Sequence, residues 1–302
     1  MNKYKFIINP VPLRKKHMLL LLDLKKKLEM SKKFCSFEHT QKEFSAQKIA
    51  KRAVDEGFTV IVACGGDGTI MEAINGIYGS KAILGILPFG TSNDFAKHLG
   101  IENILVASEK IFSKKTKSVS LGRVDFYNKS RKTMLFNSTS GIGFDASMLM
   151  LNRKTYFLKL KNILGAAIYP IAAFFLVFSY KSFDAEVKIN NNKTKMDLFM
   201  LNANFVRAMS GMKVTPYADP EKGSFDIFIV KQSGILKKIF GFIWYAFTSK
   251  KVPFDSVIYL HKGIRNFSVT SKENMPVQLN GDFIGYTPVK FKVIPKCIKI
   301  LC

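Results

Sequence analysis

The chain has 302 residues, with 47 Lys and Arg against 22 Asp and Glu, a formal net charge of +25, and 47% hydrophobic residues. That length fills two cores of ordinary size, and that hydrophobic share excludes a disordered chain. The charge draws the chain toward anions (nucleic acid, an anionic membrane surface or a nucleotide), although a generally lysine-rich composition accounts for it equally well.

Taken in order, the first 125 residues alternate in period. The pattern predicts strand 4–9, helix 14–30, strand 34–38, helix 44–56, strand 60–63, helix 70–77, strand 83–87 and helix 94–98. Strands joined by helical crossovers imply a parallel, doubly wound sheet. Beyond about residue 120 the runs turn strand-like, at 133–138, 184–190, 196–202, 225–230, 257–260, 265–270, 276–280 and 289–294. The expected fold is therefore an α/β N-terminal domain over residues 1–125 and a mainly β, sandwich-like domain over 126–294. Two apolar segments interrupt the second part. Leu164 to Tyr180 is too short for a span of about 20 residues and holds Pro170, so a buried or lid-forming helix is expected. Ile235 to Val252 sets Leu236, Ile239, Phe240, Ile243 and Phe247 at helical spacing beside Trp244, with Lys237, Lys238, Lys250 and Lys251 at its ends. Core packing and membrane-surface binding both suit that stripe.

The four cysteines, Cys35, Cys64, Cys297 and Cys302, have neither metal-ligand spacing nor the pattern of a disulfide framework, which points to a cytoplasmic setting. The four histidines form no ligand pair at helical spacing, and no cleavable targeting signal precedes the first strand. No nucleic-acid module is legible, so nucleic acid is not an expected partner.

Two polar loops carry the chemistry. Gly65-Gly66-Asp67-Gly68-Thr69 follows the buried strand Val60–Ala63 and runs into a helical pattern from Ile70. Glycines there let the backbone turn sharply and approach a ligand, and a helix N-terminus aims amide N–H groups at a phosphate. Gly90-Thr91-Ser92-Asn93-Asp94 repeats the arrangement after the strand Ile83–Leu87. Two such loops at the carboxyl ends of neighbouring strands lie where open α/β sheets bind ligands. Asp67 would repel phosphate unless it holds Mg²⁺ or takes part in the reaction.

These loops, with Leu-Pro-Phe-Gly-Thr-Ser-Asn-Asp-Phe-Ala at 87–96 and Gly-Ile-Gly-Phe-Asp-Ala at 141–146, resemble the diacylglycerol kinase catalytic family. That family includes soluble bacterial lipid kinases and the sphingosine kinases. The resemblance runs from Ile8-Asn9-Pro10 through Gly211–Ala218 to Asn280-Gly281-Asp282 and Thr287-Pro288. It implies an ATP-dependent lipid kinase that uses Mg²⁺ and phosphorylates diacylglycerol or a related lipid. Asn9, Thr40, Gly65, Gly66, Asp67, Gly68, Thr69 and Thr91 would line the nucleotide site, and Asp282 with Asp67 would carry the catalysis. The resemblance also implies that the last strand, about 295–302, returns to the first domain. A cytoplasmic enzyme held peripherally at an anionic membrane surface is expected, and a homodimer is compatible with it.

The chain departs from its relatives twice. Family members commonly carry Asp-Gly-Glu with the glutamate as base, whereas this chain has Asn280-Gly281-Asp282, also a favoured hairpin turn. Related bacterial enzymes often have Asp-Gly where Lys222-Gly223 stands, the aspartate helping to hold a structural Mg²⁺. Asp219 is left as the candidate metal ligand, and a solvated turn is the plainer reading of that loop. A NAD kinase-like enzyme sharing only the Gly-Gly-Asp-Gly-Thr core, and a nucleotide or lipid binder with a decayed site, remain as alternatives.

Overall fold

Three largely apolar runs and a more polar edge strand build the first sheet, because a strand covered on both faces needs no polar alternation whereas an edge strand stays partly exposed. In the computed structural model, which describes residues 3–41, 45–113, 115–127, 132–151, 176–209, 212–232, 234 and 258–302, these are β1 (Lys3–Ile8), β2 (Phe34–His39), β3 (Val60–Gly65) and β4 (Ile83–Pro88). They pair in parallel in the order β2–β1–β3–β4. The helices α1 (Lys15–Met30), α2 (Ser45–Asp55), α3 (Asp67–Ile77), α4 (Asp94–His98) and α5 (Ile104–Phe112) connect and follow them. Phe6, Ile61, Ile70 and Phe95 are fully buried in the core around this sheet.

The rest is largely antiparallel: β5 (Thr116–Phe126), β6 (Thr133–Phe136), β7 (Thr139–Gly143), α6 (Phe144–Leu151), β8 (Phe183–Ile189) and β9 (Asn192–Asn204). The short β10 (Ala208–Met209) and β11 (Met212–Lys213) are followed by β12 (Phe225–Lys231), β13 (Ile258–Ile264), β14 (Asn266–Ser271), β15 (Pro276–Leu279), β16 (Asp282–Tyr286) and β17 (Val289–Leu301). Its core is phenylalanine-rich, with Phe267 stacked on Phe291 at 4.4 Å and Phe136 on Phe225 at 5.8 Å between ring centroids. The architecture is thus an α/β parallel-sheet domain followed by a β-rich one.

Among the described residues at least three connections join the two cores. Val289, Phe291 and Val293 of β17 pair with β5, while Lys299 and Ile300 pair in parallel with Ile83 and Leu84 of β4. The β17–β5 register breaks between Ile294 and Ile298, where Pro295 has no N–H to donate and Lys296 adopts φ +45°. There Lys296 N donates to Ser120 Oγ at 3.1 Å. Asn75 of α3 makes the second connection by imitating a strand: its Oδ1 accepts from Leu135 N at 3.1 Å and its Nδ2 donates to Leu135 O at 2.9 Å. The third is α3 itself, whose Ile70 and Ile74 belong to the first core and whose Met71 belongs to the second.

Helix α3 begins at Asp67 rather than at residue 70, so the polar triplet Asp67–Thr69 is its first turn. Also beyond the expected elements are α5, β5, β7, α6 and β16. The apolar segment Leu164 to Tyr180 lies outside the described residues except for 176–180, and Ile235 to Val252 lies wholly outside them.

Candidate active site

The strand order reverses on either side of β1, and open α/β sheets bind their ligands at such a point, outside the carboxyl ends of the strands. Along that edge the next residues stand abreast. Thr40 N donates to Ile8 O at 2.8 Å, Asn9 N to Cys64 O at 2.9 Å, and Phe89 N to Gly65 O at 3.0 Å. Asn9 Nδ2 reaches across to Thr69 Oγ1 at 3.2 Å, which joins the end of β1 to the first turn of α3. Of the nucleotide-site candidates, Asn9, Thr40, Gly65–Thr69 and Thr91 therefore share one edge, with Thr91 exposed.

The two glycine loops touch each other. A Cβ added at Gly90 would lie 2.6 Å from Gly66 Cα and 2.7 Å from Asn93 Oδ1, so only hydrogen fits there. Asn93, at φ +50°, closes the second loop by donating Nδ2 to Gly90 O at 2.7 Å. Asp67 clamps the pair from the side: its two carboxylate oxygens accept from Asp94 N and Phe95 N, each at 3.2 Å. It lies in a helix rather than a loop, and both oxygens hold the second loop to the first. Burial pushes its pKa up, helped by the neighbouring Asp94 charge, while the amide hydrogen bonds pull the other way. Beneath the second loop, Phe89 stacks on the buried ring of His17 at 4.2 Å.

Asp282 comes to this edge from the other domain. It is exposed at the start of β16, and its Oδ2 lies 3.0 Å from the position of a Cβ on Gly68. The preceding pair, Asn280 at φ +50° and Gly281 at φ +89°, forms the two-residue turn between β15 and β16. Asn280 does more than turn the chain. Its Oδ1 accepts from Ser138 N at 3.2 Å and Thr139 N at 3.3 Å, and its Nδ2 donates to Asn137 Oδ1. A carboxylate there would have no hydrogen to give Asn137.

Asp219 stands apart from these groups. Its Oδ1 accepts from Glu221 N at 2.9 Å and lies 3.9 Å from His98 Nε2 at the end of α4. Lys222 Nζ donates to Tyr217 O at 3.3 Å. Among the described residues no three His, Cys, Asp or Glu side chains gather to hold a metal ion. The sequence reading gave no role to Asp145, Gln278 and Asn202, which meet in a buried cluster. Gly-Ile-Gly-Phe-Asp marked Asp145, but only strand register brings the two amides to it. Burial raises the pKa of Asp145 against the hydrogen bonds from Gln278 and Asn202.

A parallel sheet with paired glycine loops at its switch point, joined to a β-rich domain, is the build of a phosphate-handling α/β protein. Comparison with known proteins makes this specific. The profile of the diacylglycerol kinase catalytic domain matches residues 3–124, and that of the YegS C-terminal NAD kinase beta sandwich-like domain matches residues 140–302. The chain belongs to the diacylglycerol kinase catalytic family. It is 27% identical over 301 residues to a diacylglycerol kinase of Bacillus subtilis (strain 168), covering 96% of this chain and 93% of the relative. It is 25% identical over 300 residues to one of Staphylococcus haemolyticus, covering 98% and 87%. A crystal structure of a diacylglycerol kinase from Bacillus anthracis shares the fold with a TM-score of 0.72 at 19% identity, covering 99% of this chain and 96% of that one.

Proposed function

We propose that this kinase transfers the γ-phosphoryl group of ATP to a hydroxyl of a membrane lipid, diacylglycerol or a close relative, with Asp282 as the general base. The observation that carries the reading is the approach of the Asp282 carboxylate to Gly68, which sets a proton acceptor beside a helix N-terminus suited to phosphate. On this reading residues 1–125, with the returning strand 295–302, hold the nucleotide, and 126–294 present the lipid.

Each residue then has a task. Gly66 and Gly90 let the backbone close on the phosphates, Thr69 and Asn9 fix the first turn of α3, and Thr40 and Thr91 flank the nucleotide. Asp67 keeps the two loops in register through the amides of α4. As the lipid oxygen attacks phosphorus, Asp282 takes its proton. The donor set suits a Mg²⁺ ion that comes with the nucleotide, because such an ion keeps water and phosphate ligands and needs only one or two carboxylates. Asp67 is the carboxylate that would hold it, leaving Asp282 free of the ion to act as base, and the ion would neutralise charge on the transferring phosphate. Asp219, paired with Glu221 N and facing His98, is a weaker candidate for a separate metal.

The deciding measurement is lipid-dependent ADP release, with mass analysis of the lipid product. Asp282→Asn should lose most turnover and keep its ATP affinity, since the amide cannot take a proton. Asp282→Glu, with the family's longer carboxylate, should retain turnover. Equal ADP release by the native protein and Asp282→Asn would remove Asp282 as the base. Absence of any phosphorylated lipid from a total-lipid incubation would remove the kinase reading of this chain's substrate.

A further inference from the structure

Three strands meet in register at one buried row: Gln278 of β15 pairs with Gly141 of β7, and Gly141 pairs with Asn202 of β9. The middle residue has no side chain. A Cβ added at Gly141 would lie 1.7 Å from Asp145 Oδ2, so the carboxylate of Asp145, in the first turn of α6, occupies that gap. Its Oδ2 accepts from Asn202 Nδ2 at 2.6 Å on one side and from Gln278 Nε2 at 3.1 Å on the other. A carboxylate oxygen only accepts, so it compels Gln278 to turn its NH₂ inward. The same holds for a neutral Asp145 with its hydrogen on Oδ1, the oxygen that has no partner among the described residues. Gln278 Oε1 is thereby left facing the turn, where it accepts from Gly281 N at 2.9 Å. The next residue is Asp282.

We infer that Asp145 is a positioning residue for Asp282. Acting through the fixed orientation of Gln278, it sets the Asn280–Gly281 turn so that the Asp282 carboxylate stays over Gly68. The inference rests on the reading of Asp282 as the base. It gives the Gly-Ile-Gly-Phe-Asp segment a task in the reaction although Asp145 touches no reacting atom.

A double-mutant cycle on lipid-dependent ADP release tests it, with native protein, Gln278→Met, Asp282→Asn and the double variant. Gln278→Met keeps the length of the side chain and removes both hydrogen bonds. Its kcat should fall about 10- to 100-fold, the scale for a misplaced catalytic group, at an unchanged KM for ATP. If Gln278 acts through Asp282, the double variant is no slower than Asp282→Asn alone. Losses that multiply, or a native kcat for Gln278→Met, overturn the inference. Slow Asp282→Asn beside a native-rate Gln278→Met sinks this inference alone, whereas a native rate for Asp282→Asn sinks the base assignment and this inference with it. Should Gln278→Met not fold, Asp145→Asn carries the same cycle. It preserves size but lets Gln278 turn either way, so it should lose kcat and melt close to the native protein, and native turnover by it is the overturning result.

Discussion

At the scale of single residues, the site depends on backbone contact that only glycine allows and on carboxylates whose hydrogen bonds are local. Gly90→Ala would set a methyl group 2.6 Å from Gly66 Cα, and backbone on both sides cannot yield as a side-chain tip would. We expect a folded protein with weakened ATP binding and turnover reduced by at least about tenfold, read by nucleotide titration and ADP release. Asp67→Ala leaves Asp94 N and Phe95 N without their acceptor. Its stability in denaturant should fall by about 1–2 kcal/mol, and phosphoryl transfer by at least about 100-fold. Near-native turnover in that variant would refute a role for Asp67 in the reaction. His17 adds a pH dependence. Burial, then the charges of Lys16 and Arg14, lower its pKa, and its neutral Nδ1 accepts Arg14 N at 3.2 Å. The folded state therefore favours the neutral ring: the stabilisation is present above the ordinary imidazole pKa and is lost as pH falls through the lowered folded value. Relative to His17→Gln, which does not titrate, the native protein should lose stability as pH falls below the ordinary imidazole pKa of about 6.5.

At the scale of elements, legibility in the sequence followed burial. Strands β1, β3 and β4 are buried on both faces and read as apolar runs closed by turn residues, so they and the helices between them were foreseeable. Helix α3 was read three residues short because Asp67, Gly68 and Thr69 look like a loop; they form a helix turn that Thr69 ties to Asn9 and Asp67 to α4. Strand β7, Thr-Ser-Gly-Ile-Gly, was illegible because the side chain over Gly141 belongs to Asp145, from the next element. Long β5 was not foreseeable because the partner that pairs along most of its length, β17, comes from distant sequence. The Asp282 side of the site was marked only by its motif; its approach to Gly68 depends on the strand order. Helix packing supplies a prediction at this scale. A Cβ on Gly76 of α3 would lie 2.5 Å from Gln47 O and 2.6 Å from Ala50 Cβ of α2. Gly76→Ala gains about 1 kcal/mol of helix propensity, but overpacking against backbone costs about 1–3 kcal/mol. The second effect should win, and a lowered melting temperature would register it; an unchanged or raised one would mean that α2 moves freely.

At the scale of the whole molecule, the parallel and antiparallel parts are tied by β17, by β5 and by the strand-like bond of Asn75 to Leu135, and Asp282 lies beside the Gly65–Thr69 segment. What brings this assembly to its lipid is a separate matter. No helix among the described residues is long and apolar enough to cross a membrane. On the proposed function the substrate resides in one, and an approach from the membrane surface is the route that the charge would favour. The formal charge of +25 supplies an attraction that acts before any specific contact. A lysine or arginine near an anionic leaflet contributes roughly 1 kcal/mol, and that attraction decays within about 10 Å at 0.1 M salt. Sedimentation with vesicles should therefore rise with the anionic lipid fraction and fall steeply from low to high salt. If the proposed function holds and Asp282 takes its proton from a lipid hydroxyl in the membrane, ADP release on diacylglycerol-containing vesicles should follow the bound fraction. Equal binding to neutral and anionic vesicles at every ionic strength would assign the docking to apolar contact and leave the charge without a part in it.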